Sequence, residues 1–223
     1  MSSPIENLEQ KRAAFRNIFQ ANPSDNTVVM MDTARTEAAS LKNIYVGTEH
    51  LLLAASSNPD TAEVLDGMGL TPKEVKKAIV FIIGEGNKPV ESNKLGLTPR
   101  ALSGILVGAE EATRSYSDIE PSHILLGLAR METDQSGGGG IAMGIVESKG
   151  YRPEQFADLI LRANQKRTAG VGEQAGFDLA AALSDIGDIK DMLTRPGING
   201  GVKANIAAIL QTVNRTYNPK SRY

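Results

Sequence analysis

A string of eleven residues, Tyr45-Val-Gly-Thr-Glu-His-Leu-Leu-Leu-Ala-Ala55, returns as Asp118-Ile-Glu-Pro-Ser-His-Ile-Leu-Leu-Gly-Leu128 after a shift of 73 positions. Upstream, Arg35-Thr-Glu-Ala-Ala39 answers Ala109-Glu-Glu-Ala-Thr113 at a shift of 74. Downstream, Val64-Leu-Asp-Gly-Met-Gly-Leu-Thr-Pro72 answers Ile145-Val-Glu-Ser-Lys-Gly-Tyr-Arg-Pro153 at a shift of 81, the excess being absorbed around Asp134–Gly140. Self-similarity of this kind makes each copy one supersecondary unit, and such a unit cannot hide its apolar face alone. Two copies packed about a pseudo-twofold axis can.

The elements within each copy read as helices. Thr71-Pro-Lys-Glu74 offers a capping residue, a proline at the first helical position where a missing N–H costs nothing, and a carboxylate that completes a capping box. Behind it, Val75, Ala78, Ile79, Ile82 and Ile83 recur at helical spacing and predict one apolar face, with Gly84 as the stop. Thr98-Pro99 opens a second such helix, with Leu102, Ile105, Leu106 and Ala109 on its stripe. Pro153 opens a third, with Phe156, Leu159, Ile160 and Ala163. The spacing further predicts helices over Thr27–Leu41, Glu49–Ser56, Asp60–Gly67 (capped by Asp60), Ser122–Met131 and Ile141–Ser148. Strand signals are nearly absent. The expected fold is all-α: two pseudo-symmetric four-helix repeats, residues 24–90 and 97–166, forming one eight-helix domain over 24–166.

Both ends add to that domain. Residues 1–23 are expected to form an amphipathic helix carrying Ile5, Leu8, Phe15 and Phe19. Residues 167–176 are rich in glycine and small side chains and read as a linker. From 177 to 223, two apolar stripes flank the turn chemistry of Arg195–Gly201, which predicts a C-terminal helical hairpin. A hairpin alone buries too little to be stable, so its faces need a surface to dock on.

These strings resemble a known family. Ala34-x-x-Glu37-Ala38 followed by Tyr45-Val-Gly-Thr-Glu-His-Leu-Leu-Leu is similar to the first repeat of the Clp N-terminal domain of ClpA, ClpB and ClpC unfoldases. Leu97-Thr-Pro-Arg-Ala101 followed by Ser122-His-Ile-Leu-Leu-Gly-Leu128 is similar to the start of its second repeat. The resemblance covers about two thirds of the chain, and neither flanking segment. It implies the double four-helix fold and a role in docking substrates or adaptors for an unfoldase and its protease. In ClpC-type members it also implies a small site for phosphorylated arginine, built from the Glu of Gly-Thr-Glu-His and a Thr at the start of each repeat's first helix. Carried over by position, the first site is Ser24 with Glu49, and the second is Thr98 with Ser122. Ser24 keeps a hydroxyl where the family has Thr. Ser122 stands where the family has Glu, which removes a guanidinium partner from the second site. Glu49 and Thr98 also have simpler readings, as a first-turn carboxylate favoured by the helix dipole and as a helix cap.

Composition removes most other chemistries. There is no Cys, hence no disulfide, thiolate zinc site or cysteine nucleophile. The two histidines, His50 and His123, occupy equivalent repeat positions in the first turn of short helices. Duplication with a structural role explains them better than a pair of catalytic bases, and no metal site is expected. A Walker A loop needs Gly-Lys-Ser/Thr to cradle phosphates, and no Gly in the chain is followed by Lys. Gly137 to Ala142 formally spells G-x-G-x-x-A, but it joins two helices and lacks the strand that a dinucleotide site requires. No cofactor is expected, and the chain reads as a non-enzyme.

A formal net charge of −2 gives no reason to expect nucleic acid, and the three cations and two tyrosines of Arg215–Tyr223 read as a frayed terminus. No apolar run reaches the length of a membrane span, and the first residues carry no secretory signal, so a cytoplasmic location is expected. The expected role is a non-catalytic accessory or adaptor of a Clp chaperone–protease system, with Clp ATPase or protease subunits or protein substrates as partners. Two alternatives stand beside it. One is a structural component attached to the proteolytic barrel, like the plant ClpT proteins. The other is an unrelated regulatory interaction module that keeps the fold.

Overall fold

The first helix of each repeat starts where a hydroxyl side chain can cap it. Ser24 is extended (φ −66°, ψ 164°), and its Oγ accepts the N–H of Thr27, so α2 runs Asp25–Ser40 and begins two residues before the predicted start. Thr98 does the same for Ala101 at 3.1 Å and opens α6, Pro99–Arg114. Thr71 caps α5, Pro72–Ile83, by accepting from the N–H of Glu74. The remaining helices are α1 (Pro4–Phe19), α3 (Thr48–Ser56), α4 (Ala62–Gly67), α7 (Pro121–Arg130), α8 (Gly140–Ser148) and α9 (Pro153–Gln174). This computed structural model describes residues 4–115, 117–131 and 140–174. The chain divides into two units, 1–167 and 168–223, and the hairpin expected over 177–223 lies outside the described residues.

The fold is all-α, as the periodicity predicts, and α2–α5 and α6–α9 are the two four-helix repeats. The core is continuous across both. Met30, Leu51, Leu52, Leu65 and Ile79 from the first repeat join Ile105, Ile124, Leu125 and Phe156 from the second, all fully buried. Burying one such side chain contributes about 1.5–3 kcal/mol, so neither repeat can surrender its inner face without losing most of its stability. In the second repeat α6 and α7 approach at backbone distance. A Cβ on Gly127 would fall 2.0 Å from the carbonyl oxygen of Gly104 and 2.6 Å from the nitrogen of Gly108, so only glycine fits.

Four expectations need correction in detail. Asp60 does not cap α4: Thr61 is the residue before the helix, and the Asp60 carboxylate is committed to long-range partners. The α5 stripe is only half used, because Val75 and Ile79 are buried while Ile82 and Ile83 remain exposed on the last turn. Helix α9 continues to Gln174 over the stretch read as a linker: glycine weakens a helix by about 1 kcal/mol, but without a proline it need not end it. Two very short strands, β1 (Tyr45–Val46) and β2 (Gly96–Leu97), pair in parallel between the repeats, although no strand pattern announces them. Two residues cannot show a periodicity.

Candidate functional site

The two repeats meet at two seams, and the seams are copies of each other. In one, Tyr45 and Val46 pair with Gly96 and Leu97, and the N–H of Thr98 donates to the carbonyl of Val46 at 3.0 Å. In the other, Pro23 bridges Ile119, and the N–H of Ser24 donates to the carbonyl of Ile119 at 3.0 Å. Ile119 donates its own N–H to Asn22, and the Thr27 hydroxyl adds a 2.5 Å bond to the Ile119 carbonyl. Each seam therefore joins the N-terminus of one repeat's first helix to the loop before the other repeat's second helix. Backbone N–H groups left unpaired at a helix N-terminus favour anions, and two helix starts converge on each seam.

The histidines build these loops. His50 Nδ1 accepts the N–H of Gly47 at 3.1 Å, and His123 Nδ1 accepts the N–H of Glu120 at 3.0 Å. In each case a ring three residues into the helix returns to the backbone before it, as a Glu or Gln does in a capping box. Nε2 of His50 lies 2.9 Å from Asn43 Oδ1, so both ring nitrogens have polar partners. Burial holds His123 below the ordinary imidazole range, with Arg167 adding to the effect and Glu111 opposing it. The duplicated histidines are structural in both repeats.

The seam at Thr98 holds Glu49. Its carboxylate is buried, 3.0 Å from His50 Nδ1, and folds over the Cα of Gly47, where a Cβ would lie 2.1 Å from Oε1. Thr48 Oγ1 accepts the N–H of Ala142, which brings the start of α8 to the same place. Arg100 runs alongside, because a Cβ on Gly140 would touch both its Cδ and Thr48 Oγ1 at 2.7 Å.

The seam at Ser24 is more polar. Glu120 faces the Ser24 hydroxyl, Arg167 and Asp60, and its carboxyl is raised above the ordinary carboxylate range mainly by burial, with Ser24 and Arg167 pulling it back down and Asp60 pushing it up. Asp60 accepts from Asn26 at 2.8 Å and pairs with Arg167 at 3.4 Å, while Arg167 lies 3.9 Å from Glu120 and donates to Asn164 at 3.0 Å. The buried Ser122 Oγ has no partner among the described residues.

The seams rearrange the pairs carried over from the resemblance. Ser24 does not join Glu49 but meets the second repeat at Ile119 and Glu120; Thr98 does not join Ser122 but meets the loop that leads into Glu49. Exchange across a twofold axis is the reason, since each first helix plugs into the opposite repeat. Position counting missed Asp60, Glu120 and Arg167. Glu120 before Pro121 has the look of a helix start, whereas nothing local points to Arg167, which is 107 residues from Asp60. Among the described residues, no group of His, Asp and Glu is placed to hold a metal ion, and no helix is long and apolar enough to cross a membrane.

A helical double repeat whose copies meet at two polar seams, each joining a first-helix cap to the opposite repeat's loop, defines a class of domain. The chain belongs to the Clp repeat N-terminal domain family, whose model matches residues 22–138. It is 32% identical over 171 residues to the chloroplastic chaperone protein ClpC2 of Oryza sativa subsp. japonica, covering 74% of this chain and 18% of that protein. It is 30% identical over 170 residues to the ATP-dependent Clp protease ATP-binding subunit ClpC of Staphylococcus aureus strain USA300, covering 73% and 19%. The chain thus spans about a fifth of the length of these relatives. The crystal structure of the N-terminal domain of ClpD from Arabidopsis thaliana superimposes with a TM-score of 0.52 at 20% identity, over 65% of this chain and 95% of that one. That match concerns the fold.

Proposed function

We propose that this chain is a non-catalytic accessory or adaptor of a Clp chaperone–protease system, which binds substrates, adaptors or Clp subunits through its double repeat. One observation carries the reading: the segment shared with relatives named as Clp ATP-binding subunits is this repeat pair, and these 223 residues contain no Gly-Lys from which a Walker A loop could be made. The seams are the proposed contact points. Ser24 sets a hydroxyl and helix-start amides beside the Glu120 carboxylate, and Thr98 bonds the loop that leads into Glu49; a hydroxyl, amides and a carboxylate are the chemistry for a phosphate joined to a guanidinium. At the Ser24 seam a guanidinium from the chain itself, Arg167, already faces the carboxylates.

The test is co-migration of the purified chain with a ClpC-type hexamer and its ClpP barrel on size exclusion, with and without ATP. Binding to the hexamer supports the reading, and binding to the barrel alone favours the ClpT-like alternative. Failure to bind either, at concentrations well above those in the cell, overturns both. Titration with phosphoarginine of wild type, Glu49→Gln and Ser24→Ala then separates the seams.

A further inference from the structure

Helix α1 precedes the residues matched by the family, yet it has a built seat. Its inner stripe is Leu8, Arg12, Phe15 and Phe19, with the two rings 4.4 Å apart between centroids at 41° and both almost fully buried. Its seat is the face of α2 that carries Val28, Met31, Asp32 and Arg35, and a cleft lined by that face, by Leu97 of β2 and by Ala14, Phe15 and Ile18 of α1 remains between the two helices. Helix α1 also touches α6, so it leans on the first helices of both repeats. Two of its three cations meet carboxylates on α2: Lys11 pairs with Asp32 at 2.5 Å, and Arg12 pairs with Asp25, while Arg16 donates to Asn22. Asp25 and Asp32 are seven residues apart on one face of α2, so they form a two-point acidic rail beside an apolar floor.

This seat is specific to the first repeat. At the shift of 74 that relates α2 to α6, Asp25 and Asp32 correspond to Pro99 and Leu106, so the equivalent face of α6 has no acidic rail. The occupant is held by its two buried rings more than by its charges. A sixteen-residue helix is marginal by itself in water, and exposed ion pairs contribute about 0–1 kcal/mol each. The connection to α2 turns at Gln20, a non-glycine residue at φ +54°. Beside the buried pair, Ile18 remains 58% exposed.

We propose that this face of α2, with Leu97 of β2 at its edge, is a helix-docking site that α1 occupies in cis. The partner it accepts in trans is an amphipathic helix with two aromatic residues at i and i+4 and two cations one turn toward its N-terminus. A tethered occupant acts at an effective concentration in the mM range, so it holds off weak partners and yields to those that present the full pattern. This inference does not depend on the Clp reading.

A fluorescein-labelled peptide of residues 4–20 is titrated into the full chain and followed by anisotropy. The comparison is between wild type and the Phe15→Glu/Phe19→Glu variant, whose own α1 cannot seat. The expected result is saturable binding at least about ten-fold tighter to the variant than to wild type, since the cis competitor is gone. Binding should be lost when both phenylalanines of the peptide become alanine, and when the variant also carries Asp25→Lys/Asp32→Lys. Equal affinity for wild type and variant, with the variant still helical by circular dichroism, overturns the proposal. If that variant loses its helical signal, Lys11→Glu/Arg12→Glu replaces it, with the same direction expected and equality again overturning the idea. A wild-type dimer by light scattering that exchanges α1 between copies and excludes the peptide also overturns it.

Discussion

Ser24 donates its backbone N–H to the carbonyl of Ile119 at 3.0 Å, although the two residues belong to different repeats. Thr98 and Val46 repeat the bond at the same length with the repeats exchanged. Ser24 and Thr98 thus do two things at once: the side chain caps a helix, and the backbone closes a seam. The two functions separate by mutation, because an alanine keeps the N–H and loses only the cap.

Ser24→Ala and Thr98→Ala are each expected to destabilise the fold by about 1 kcal/mol, the ordinary cost of losing a hydroxyl cap. Ser24→Thr should be nearly neutral. Urea denaturation of the three variants checks this, and a loss of several kcal/mol for either alanine would mean that the hydroxyl holds more than a helix start.

Gly127→Ala places a methyl group where the Gly104 carbonyl oxygen lies 2.0 Å away. The α6–α7 pair must separate, at a cost of about 1–3 kcal/mol typical of overpacking. Gly144→Ala is the control, since a Cβ there meets nothing within 4 Å. Equal melting temperatures for the two variants would contradict the close approach.

The His123 cap works only while Nδ1 is free to accept the Glu120 N–H. Burial holds this imidazole below its ordinary value of 6.5, so the unfolded chain takes up a proton before the folded one does. Its contribution is therefore complete above about pH 6.5 and is lost as pH falls from there through the lowered folded value. The melting temperature of wild type should decline over that acidic window more steeply than that of His123→Asn. Parallel curves would remove His123 from the pH response.

Glu120 behaves in the opposite sense. Its folded carboxyl is raised above the ordinary 4.5, so the fold loses stability as pH climbs from that value through the raised one. Arg167 offsets part of this by favouring the charged form. Arg167→Gln should accordingly destabilise the protein more at pH 7 than at pH 4, measured as the change in unfolding free energy at each pH. The same change at both values would show that Arg167 acts through packing alone.

Much of this fold is legible in the sequence because helices are local objects. Thr71-Pro72, Thr98-Pro99 and Pro153 announce their helices within one turn, and the periodicity of Val75 and Ile79 or of Phe156 and Ile160 marks the inner faces. The doubled His string gives the repeat and, with it, the need for a second copy to cover each apolar face. The strands do not show, because two residues carry no pattern. The inner and outer parts of α5 do not separate either, because Ile82 and Ile83 look as apolar as Ile79 until the core stops short of them.

By itself, then, the sequence settles what is encoded within a few turns of chain: eight repeat helices, the caps at Thr71 and Thr98, and a duplicated histidine string. The tertiary structure alone decides which residues face one another at the seams. Hydrogen bonds and ion pairs between Ser24 and Ile119, Thr98 and Val46, or Asp60 and Arg167 join positions 52 to 107 residues apart, and no local preference reports them. The pseudo-twofold axis exchanges the repeats' N-termini, so counting along one repeat pairs each hydroxyl with the wrong loop. Only the packing of both cores at once puts it on the right one.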